Sequence, residues 1–239
     1  MHVTALLTGR GNNTLADKNI LPLQGKPLLA YPALAAKRSS RISDFYISSD
    51  CPKIIAAAGQ YGYSPILRPA ELASPTAQHK DAIIHALETI DVQGVHPDVV
   101  LVMLANSPTI KTEWIDSCID LLERNPHATA VVPVCRDMDH HPYRAKTLAP
   151  DGSLVPFFDF KGKTITTNRQ DLPPNFFLCH NFWLIRVKEG VYGSPGLPPW
   201  SFMGETVLPY EVDESFDIHD MHDVARAERW LEREGQLKV

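Results

Sequence analysis

Apolar runs of strand length alternate along the chain with longer stretches whose apolar residues recur at helical spacing. HVTALLT is followed by LLAYPALAAKRS, DFYISSD by PKIIAAAGQYG, YSPILRP by AQHKDAIIHALETI, and DVVLVML by EWIDSCIDLLERN, after which TAVVPVC closes the series. Strand and helix in alternation predict an α/β fold with a largely parallel sheet wrapped by helices. In AIIHALETI, Ile83, Ile84, Leu87 and Ile90 fall on one helical face. The continuously apolar Val99 to Leu104 predicts a central strand buried on both faces.

From about 136 to 181 the pattern changes. Prolines and aromatics cluster in HHPYRAK, PFFDF and LPPNFF, and Asp151-Gly152 marks a turn between short strands. This stretch reads as an insertion in a single domain spanning 1–239, not as a second core. The chain then returns to a strand, NFWLIRV, crosses the proline-rich GSPGLPPW, and ends with TVLPYEV, an acidic turn and the helix DVARAERWLEREG.

Composition narrows the function. A chain of 239 residues that is 44% apolar buries one substantial core. With 21% charged residues and a net charge of -5, it is neither disordered by composition nor basic enough for general nucleic-acid binding, so any anion site is local. The four cysteines, Cys51, Cys118, Cys135 and Cys179, contain no CxxC pair, which argues against zinc and a disulfide scaffold and fits a reducing cytoplasm. The N-terminal apolar run is broken by Gly9 and Arg10 too early for a signal peptide, and no segment reaches membrane-span length. A soluble cytoplasmic protein without membrane or nucleic-acid partners is expected.

Ligands of parallel α/β sheets bind at the carboxyl ends of the strands. The loops 9–19, 68–76, 105–108 and 217–220 are therefore expected around one cleft. In GRGNNTLADKN, Gly9 and Gly11 permit close backbone approach, and Arg10 and Lys18 neutralise phosphate charge. No GxxxxGK[ST] is present, and spacing alone leaves a phosphate loop and a plain strand-to-helix connection both open. Glu211, Asp213, Glu214, Asp217, Asp220 and Asp223 form an acidic run before the last helix, where Asp220 or Asp223 serves as a cap.

These motifs, taken in order, resemble the acylneuraminate cytidylyltransferases, or CMP-sialic acid synthetases, including those for pseudaminic and legionaminic acids. Arg10, Lys18 and Asn19, followed by Gly25, Pro27, Leu28, Leu29 and Tyr31, match that family's ARxxSKGxxxKN and GxPLLxY segments. RPAELASPTAQHKDAIIHALE, Ser107-Pro108, His140-His141-Pro142, Arg169-Gln170 and SFDIHDMHDV match later segments, so the similarity spans essentially the whole chain. It implies a three-layer nucleotide-diphospho-sugar transferase fold and activation of a nine-carbon ulosonic acid by CTP with release of pyrophosphate. It further implies that Arg10, Asn13, Lys18, Asn19 and Arg68 bind nucleotide and that Arg10, Lys18 and Asp217 carry catalysis. Asp217, aligned with the first aspartate of a DxD, would hold Mg²⁺ or Mn²⁺ with His219 in the second place. Arg169 and Gln170 would meet the acidic sugar, and the insertion would form a homodimer and reach into the partner's sugar pocket. A sugar-phosphate nucleotidyltransferase of the same fold and a non-catalytic nucleotide-binding homologue are the alternatives.

Several positions depart from the family's pattern. The first loop is one residue shorter, with Thr14 in place of its lysine, and Leu104 and Ile110 replace the glutamine and arginine around SPLR. Pro75 replaces an aspartate, and His79 stands where a small hydroxyl residue meets the nucleotide. His140 and His141 read as exposed, and Phe157, Phe158, Phe160, Phe176 and Phe177 as packing or dimer contacts.

Overall fold

The computed structural model describes residues 1–13, 15–137 and 139–234. β1 (Val3–Thr8) is buried at every position because it lies between two parallel neighbours. After it come a hairpin of β2 (Pro22–Leu23) and β3 (Lys26–Pro27), α1 (Ala30–Lys37), β4 (Asp44–Ser49), α2 (Pro52–Gly59) and β5 (Ser64–Leu67). α3 (His79–Val92), β6 (Val99–Leu104), α4 (Thr112–Arg124) and β7 (Ala130–Arg136) complete the alternating part. The β2–β3 turn has positive φ at both Gln24 (46°) and Gly25 (80°), the geometry of a two-residue hairpin.

β5, β4, β1 and β6 run parallel in that order. The expected parallel sheet then changes direction, since β11 (Phe182–Arg186) inserts antiparallel between β6 and β7. β10 (Phe176–Leu178) precedes β11 along the same side of β7, and β12 (Val207–Glu211) pairs parallel with β7 on the other. Between β7 and β10, the segment forms a separate ribbon of β8 (Lys146–Leu148) and β9 (Leu154–Pro156). It is poor in buried residues, as the sequence pattern predicts, and carries exposed Leu148, Leu154, Phe157 and Phe158.

Two apolar layers cover the sheet. α1, α2 and α4 pack on one face through residues such as Ala33, Ile54 and Ile119. α3 covers the other with Ile83, Ala86, Leu87 and Ile90, while Ile84 is half-buried beside them. α5 (Met221–Arg233) closes a smaller cluster, in which Val224, Trp230 and Leu231 meet Leu23 and Leu28 near the hairpin. Its start is set by a capping box: Asp220 accepts from the N–H groups of His222 (2.7 Å) and Asp223 (3.1 Å), and Asp223 accepts from that of Asp220 (3.3 Å). Among the described residues no helix is long and apolar enough to cross a membrane.

Candidate active site

The loop after β1 is held by its own amides. The Gly9 N–H donates to the Ser48 carbonyl at 3.2 Å, one residue beyond the β1–β4 ladder. A Cβ on Gly9 would lie 3.0 Å from both Ala105 Cβ and Asn19 Nδ2, and one on Gly11 would lie 2.9 Å from Cys51 Cβ. Both glycines are thus required by close approach. The Gly11 N–H donates to Asp50 Oδ1 (2.9 Å), and the Arg10 carbonyl accepts from Asn13 Nδ2 (2.6 Å) and Asn19 Nδ2 (2.9 Å). Asn13 and Asn19 therefore shape the loop, and Arg10 Nη1 reaches across to the Ser74 carbonyl at 3.1 Å.

The loops meet around a cavity of about 350 Å³ at the carboxyl ends of the strands, lined by Arg10, Asn13, Lys18, Asn19 and Arg68, with Ser74, Gln78, His79, Leu104 and Asn106. Lys18 and Arg68 are each only 7% exposed. Arg68 follows β5 and is fastened to β4, with Nε donating to Ser48 Oγ (3.1 Å) and Nη2 to the Ser48 carbonyl (2.9 Å). Burial draws its pKa down, Asp50 opposes this, and Arg10 adds to it. Burial likewise lowers the Lys18 pKa, against the pull of Asp217 and Asp223 and with a smaller push from Arg10. Among the described residues Arg10, Lys18 and Arg68 make no ion pair. Three cations facing one cavity without a contacting carboxylate make it an anion site.

His79 forms part of the wall. The Thr8 hydroxyl donates to the Met103 carbonyl at 3.1 Å, so in its 3.1 Å contact with His79 Nε2 it is the acceptor and Nε2 carries the proton. Burial, followed by Arg68 and His180, pushes the His79 pKa down to about 4, and the neutral ring leaves Nδ1 as a lone-pair acceptor.

Asp217 is not part of the cavity lining but lies behind Asn106, which is, and its side chain is 18% exposed. Its Oδ2 accepts from Asn106 Nδ2 at 3.2 Å and lies 2.9 Å from His219 Nε2. The acidic segment is tied to the loop after β6, with the Ile218 N–H donating to the Asn106 carbonyl (2.9 Å) and the Phe216 N–H to Thr109 Oγ1 (2.9 Å). Among the described residues no group of three or more His, Cys, Asp or Glu side chains is placed to hold a metal. Asp217 and His219 supply one carboxylate and one imidazole, which suits a divalent ion that draws its other ligands from phosphate oxygens and water.

The fold thus brings together Arg10, Asn13, Lys18, Asn19 and Arg68, with Asp217 and His219 beside them. Arg169 and Gln170 lie elsewhere, exposed in the short turn Arg169–Asp171 of the insertion, where Arg169 pairs with Asp139 at 2.6 Å. Thr14 lies outside the described residues. Asp220 is occupied as a helix cap, so it is not free to join Asp217. One expectation is corrected. His141 is buried, accepting from the Tyr143 N–H and bonded to the Pro173 carbonyl, because it anchors the insertion's first turn. Cys135 and Cys179, distant in sequence, lie with their sulfurs 3.2 Å apart. Asn106 was foreshadowed only as part of the loop after an apolar strand, and Ser48 carried no signal in a run that reads as strand.

This sheet order, with a cationic cavity at the carboxyl ends and an acidic segment tied to the loop after β6, is that of the nucleotide-diphospho-sugar transferase fold. The solved structure of CMP:2-keto-3-deoxy-manno-octonic acid synthetase complexed with CTP superposes with a TM-score of 0.70 at 13% identity, covering 98% of this chain and 100% of that one. The chain belongs to the cytidylyltransferase family, whose model matches residues 10–176. It is 28% identical over 245 residues to the CMP-N,N'-diacetyllegionaminic acid synthase of Legionella pneumophila, with 100% of both chains covered. It is 32% identical over 198 residues to the 3-deoxy-manno-octulosonate cytidylyltransferase of Chloroherpeton thalassium, covering 80% of this chain and 76% of that one. It is 26% identical over 245 residues to the N-acylneuraminate cytidylyltransferase of Escherichia coli, covering 99% of this chain and 54% of that one.

Proposed function

We propose that the protein transfers the cytidylyl group of CTP to the anomeric hydroxyl of a sialic-acid-like ulosonic acid, giving the CMP-sugar and pyrophosphate. The observation that carries this reading is the convergence of Arg10, Lys18 and Arg68, none of them ion-paired among the described residues, on one cavity whose wall residue Asn106 bonds Asp217. A triphosphate fills such a cavity with the charge it lacks. The full-length match to a legionaminic acid enzyme favours a nine-carbon sugar, and the match to an octulosonate enzyme makes the eight-carbon acid the competitor to test.

In this reaction the anomeric oxygen forms a bond to the α-phosphorus as the bond from that phosphorus to the bridging oxygen breaks. Pyrophosphate leaves with the electron pair, and the hydroxyl proton passes to solvent. No side-chain nucleophile is needed; alignment and neutralisation of growing negative charge supply the rate. Arg10 and Lys18 meet the phosphates, Arg68 holds the nucleotide from the β4–β5 side, and Asn13 and Asn19 keep the loop in shape. Mg²⁺ or Mn²⁺, when held by Asp217 and His219, would supply positive charge against the phosphates.

Exposed Leu148, Leu154, Phe157 and Phe158 favour a homodimer built on the insertion, since such a patch is unusual on a monomer. Arg169 and Gln170, remote from their own cavity, then serve the sugar pocket of the partner. Pyrophosphate release measured with each of the four nucleoside triphosphates, Mg²⁺ or Mn²⁺, and a panel of eight- and nine-carbon ulosonic acids tests the reading. Release above background with CTP and a nine-carbon acid is expected; none with any combination refutes it.

A further inference from the structure

Cys135 and Cys179 take no part in the chemistry above, yet 44 positions of chain bring their sulfurs to 3.2 Å. Phe177 faces Cys135 and Leu178 faces Val134, while Leu184 faces Val131, so the ladder bulges over Cys179 to Asn181 and leaves room for the two sulfurs to meet. Cys135 is half-buried and Cys179 fully so. Ser215 lies near both, its backbone N–H favouring the Cys135 thiolate and its hydroxyl that of Cys179, while the same hydroxyl donates to the Thr109 carbonyl at 3.5 Å. The bond from Cys179, against the effect of burial and with help from Ser215, brings the Cys135 thiol down to about 7, while the Cys179 thiol is pushed up by the same contact and by burial. Cys135 is the sulfur that solvent reaches, and its contact with Cys179 favours its thiolate, so it is the one placed to meet an oxidant first.

We propose that Cys135 and Cys179 are an oxidation site, an attacking and a resolving thiol that a hydroperoxide converts into an intramolecular disulfide, slowing the enzyme through the segment that carries Asp217. The Cys135 thiolate attacks the peroxide oxygen, breaking the O–O bond and leaving a sulfenic acid and water. The Cys179 sulfur then displaces the sulfenic hydroxyl as a second water, so two thiols and one hydrogen peroxide give one disulfide and two waters. The disulfide is uncharged and a poor acceptor, so the polar groups of Ser215 lose the attraction they have to a Cys135 thiolate. Ser215 also lies 3.3 Å from Thr109 Oγ1 and stands two residues before Asp217, so its release loosens the attachment of the acidic segment to the loop after β6.

Only the activity readout rests on the proposed transfer reaction; the thiol chemistry is read by mass. Reduced full-length protein is treated with a small excess of hydrogen peroxide at neutral pH, and its intact mass, its cross-linked peptides and its CTP turnover are followed. We expect a loss of about 2 Da with a Cys135–Cys179 peptide, and a fall in turnover of about fivefold or more that dithiothreitol reverses. Cys135→Ser and Cys179→Ser should each keep near-basal turnover and escape both changes. Oxidation confined to Cys51, or no 2 Da loss, overturns the site. A Cys135–Cys179 disulfide with unchanged turnover overturns the coupling to Asp217, and absent turnover before oxidation counts against the transfer reaction alone.

Discussion

Asp217→Asn separates a carboxylate needed for chemistry from one that merely organises its loop. Asparagine keeps an oxygen to accept from Asn106, now 3.2 Å from Asp217 Oδ2, and the ties from the Phe216 N–H to Thr109 Oγ1 and from the Ile218 N–H to the Asn106 carbonyl do not involve the changed side chain. The folded state should therefore shift by no more than about 1 kcal/mol. Losing the charge removes the metal's only proposed carboxylate ligand, and a single preorganised electrostatic contact is worth about 3–4 kcal/mol in the transition state, so turnover should fall about 10²- to 10³-fold. Lys18 adds a second signature. Its pKa is lowered by burial and held up by Asp217, so removing Asp217 lowers it further. If the Lys18 cation is required, the alkaline fall in activity should then begin at lower pH in the variant. Steady-state rates over a pH series and over Mg²⁺ and Mn²⁺ titrations, alongside urea denaturation on the same preparation, read all three effects. Unchanged turnover and metal dependence in a normally folded variant would refute the assignment.

His79 gives a stability prediction. Its folded pKa of about 4 lies below the ordinary 6.5, so the unfolded chain binds the extra proton between these values, and stability present above pH 6.5 is lost as pH falls toward 4. This accounts for about 2 kcal/mol between pH 7 and pH 5, which urea denaturation of His79→Gln should show removed; equal pH dependence in both proteins would contradict it. Gly11→Val should lower nucleotide affinity, because its Cβ would sit 2.9 Å from Cys51 Cβ and displace the loop that presents Arg10; titration calorimetry with CTP reads this, and unchanged affinity would count against it. Sedimentation should give a dimer that Phe157→Ser weakens, whereas a fully active monomer would dismiss the interface. Mixing Lys18→Ala with Arg169→Ala subunits should restore activity that neither has alone, since the mixed dimer holds one intact site; no recovery would contradict a partner-supplied Arg169.

The parts of this molecule readable in sequence are those governed by local pattern. β1, β6 and α3 declare themselves by burial and periodicity, and the rule that loops gather at the carboxyl ends of parallel strands was enough to bring Arg10, Lys18 and Arg68 around one cleft, with Asp217 bonded to Asn106 in its wall. What escaped depends on pairing between distant strands. The antiparallel insertion of β11 between β6 and β7 has no local signature, and the contact of Cys135 with Cys179 follows from that pairing and its bulge. Arg68 was legible as a cation after a strand, but its capture by Ser48 depends on β4 lying beside β5. His141, read as one of two exposed histidines, is buried because Pro173 returns 32 positions later to accept its proton.

The central claim is tested most directly by phosphorus NMR of a single reaction containing the protein, CTP, Mg²⁺ and a nine-carbon ulosonic acid. The account predicts one new phosphodiester resonance, from the CMP-sugar, growing in equal amount with pyrophosphate and absent when the sugar is omitted or when Asp217 is replaced by asparagine. No phosphodiester with any ulosonic acid, or a diphosphate-linked product formed from a hexose 1-phosphate instead, would contradict it.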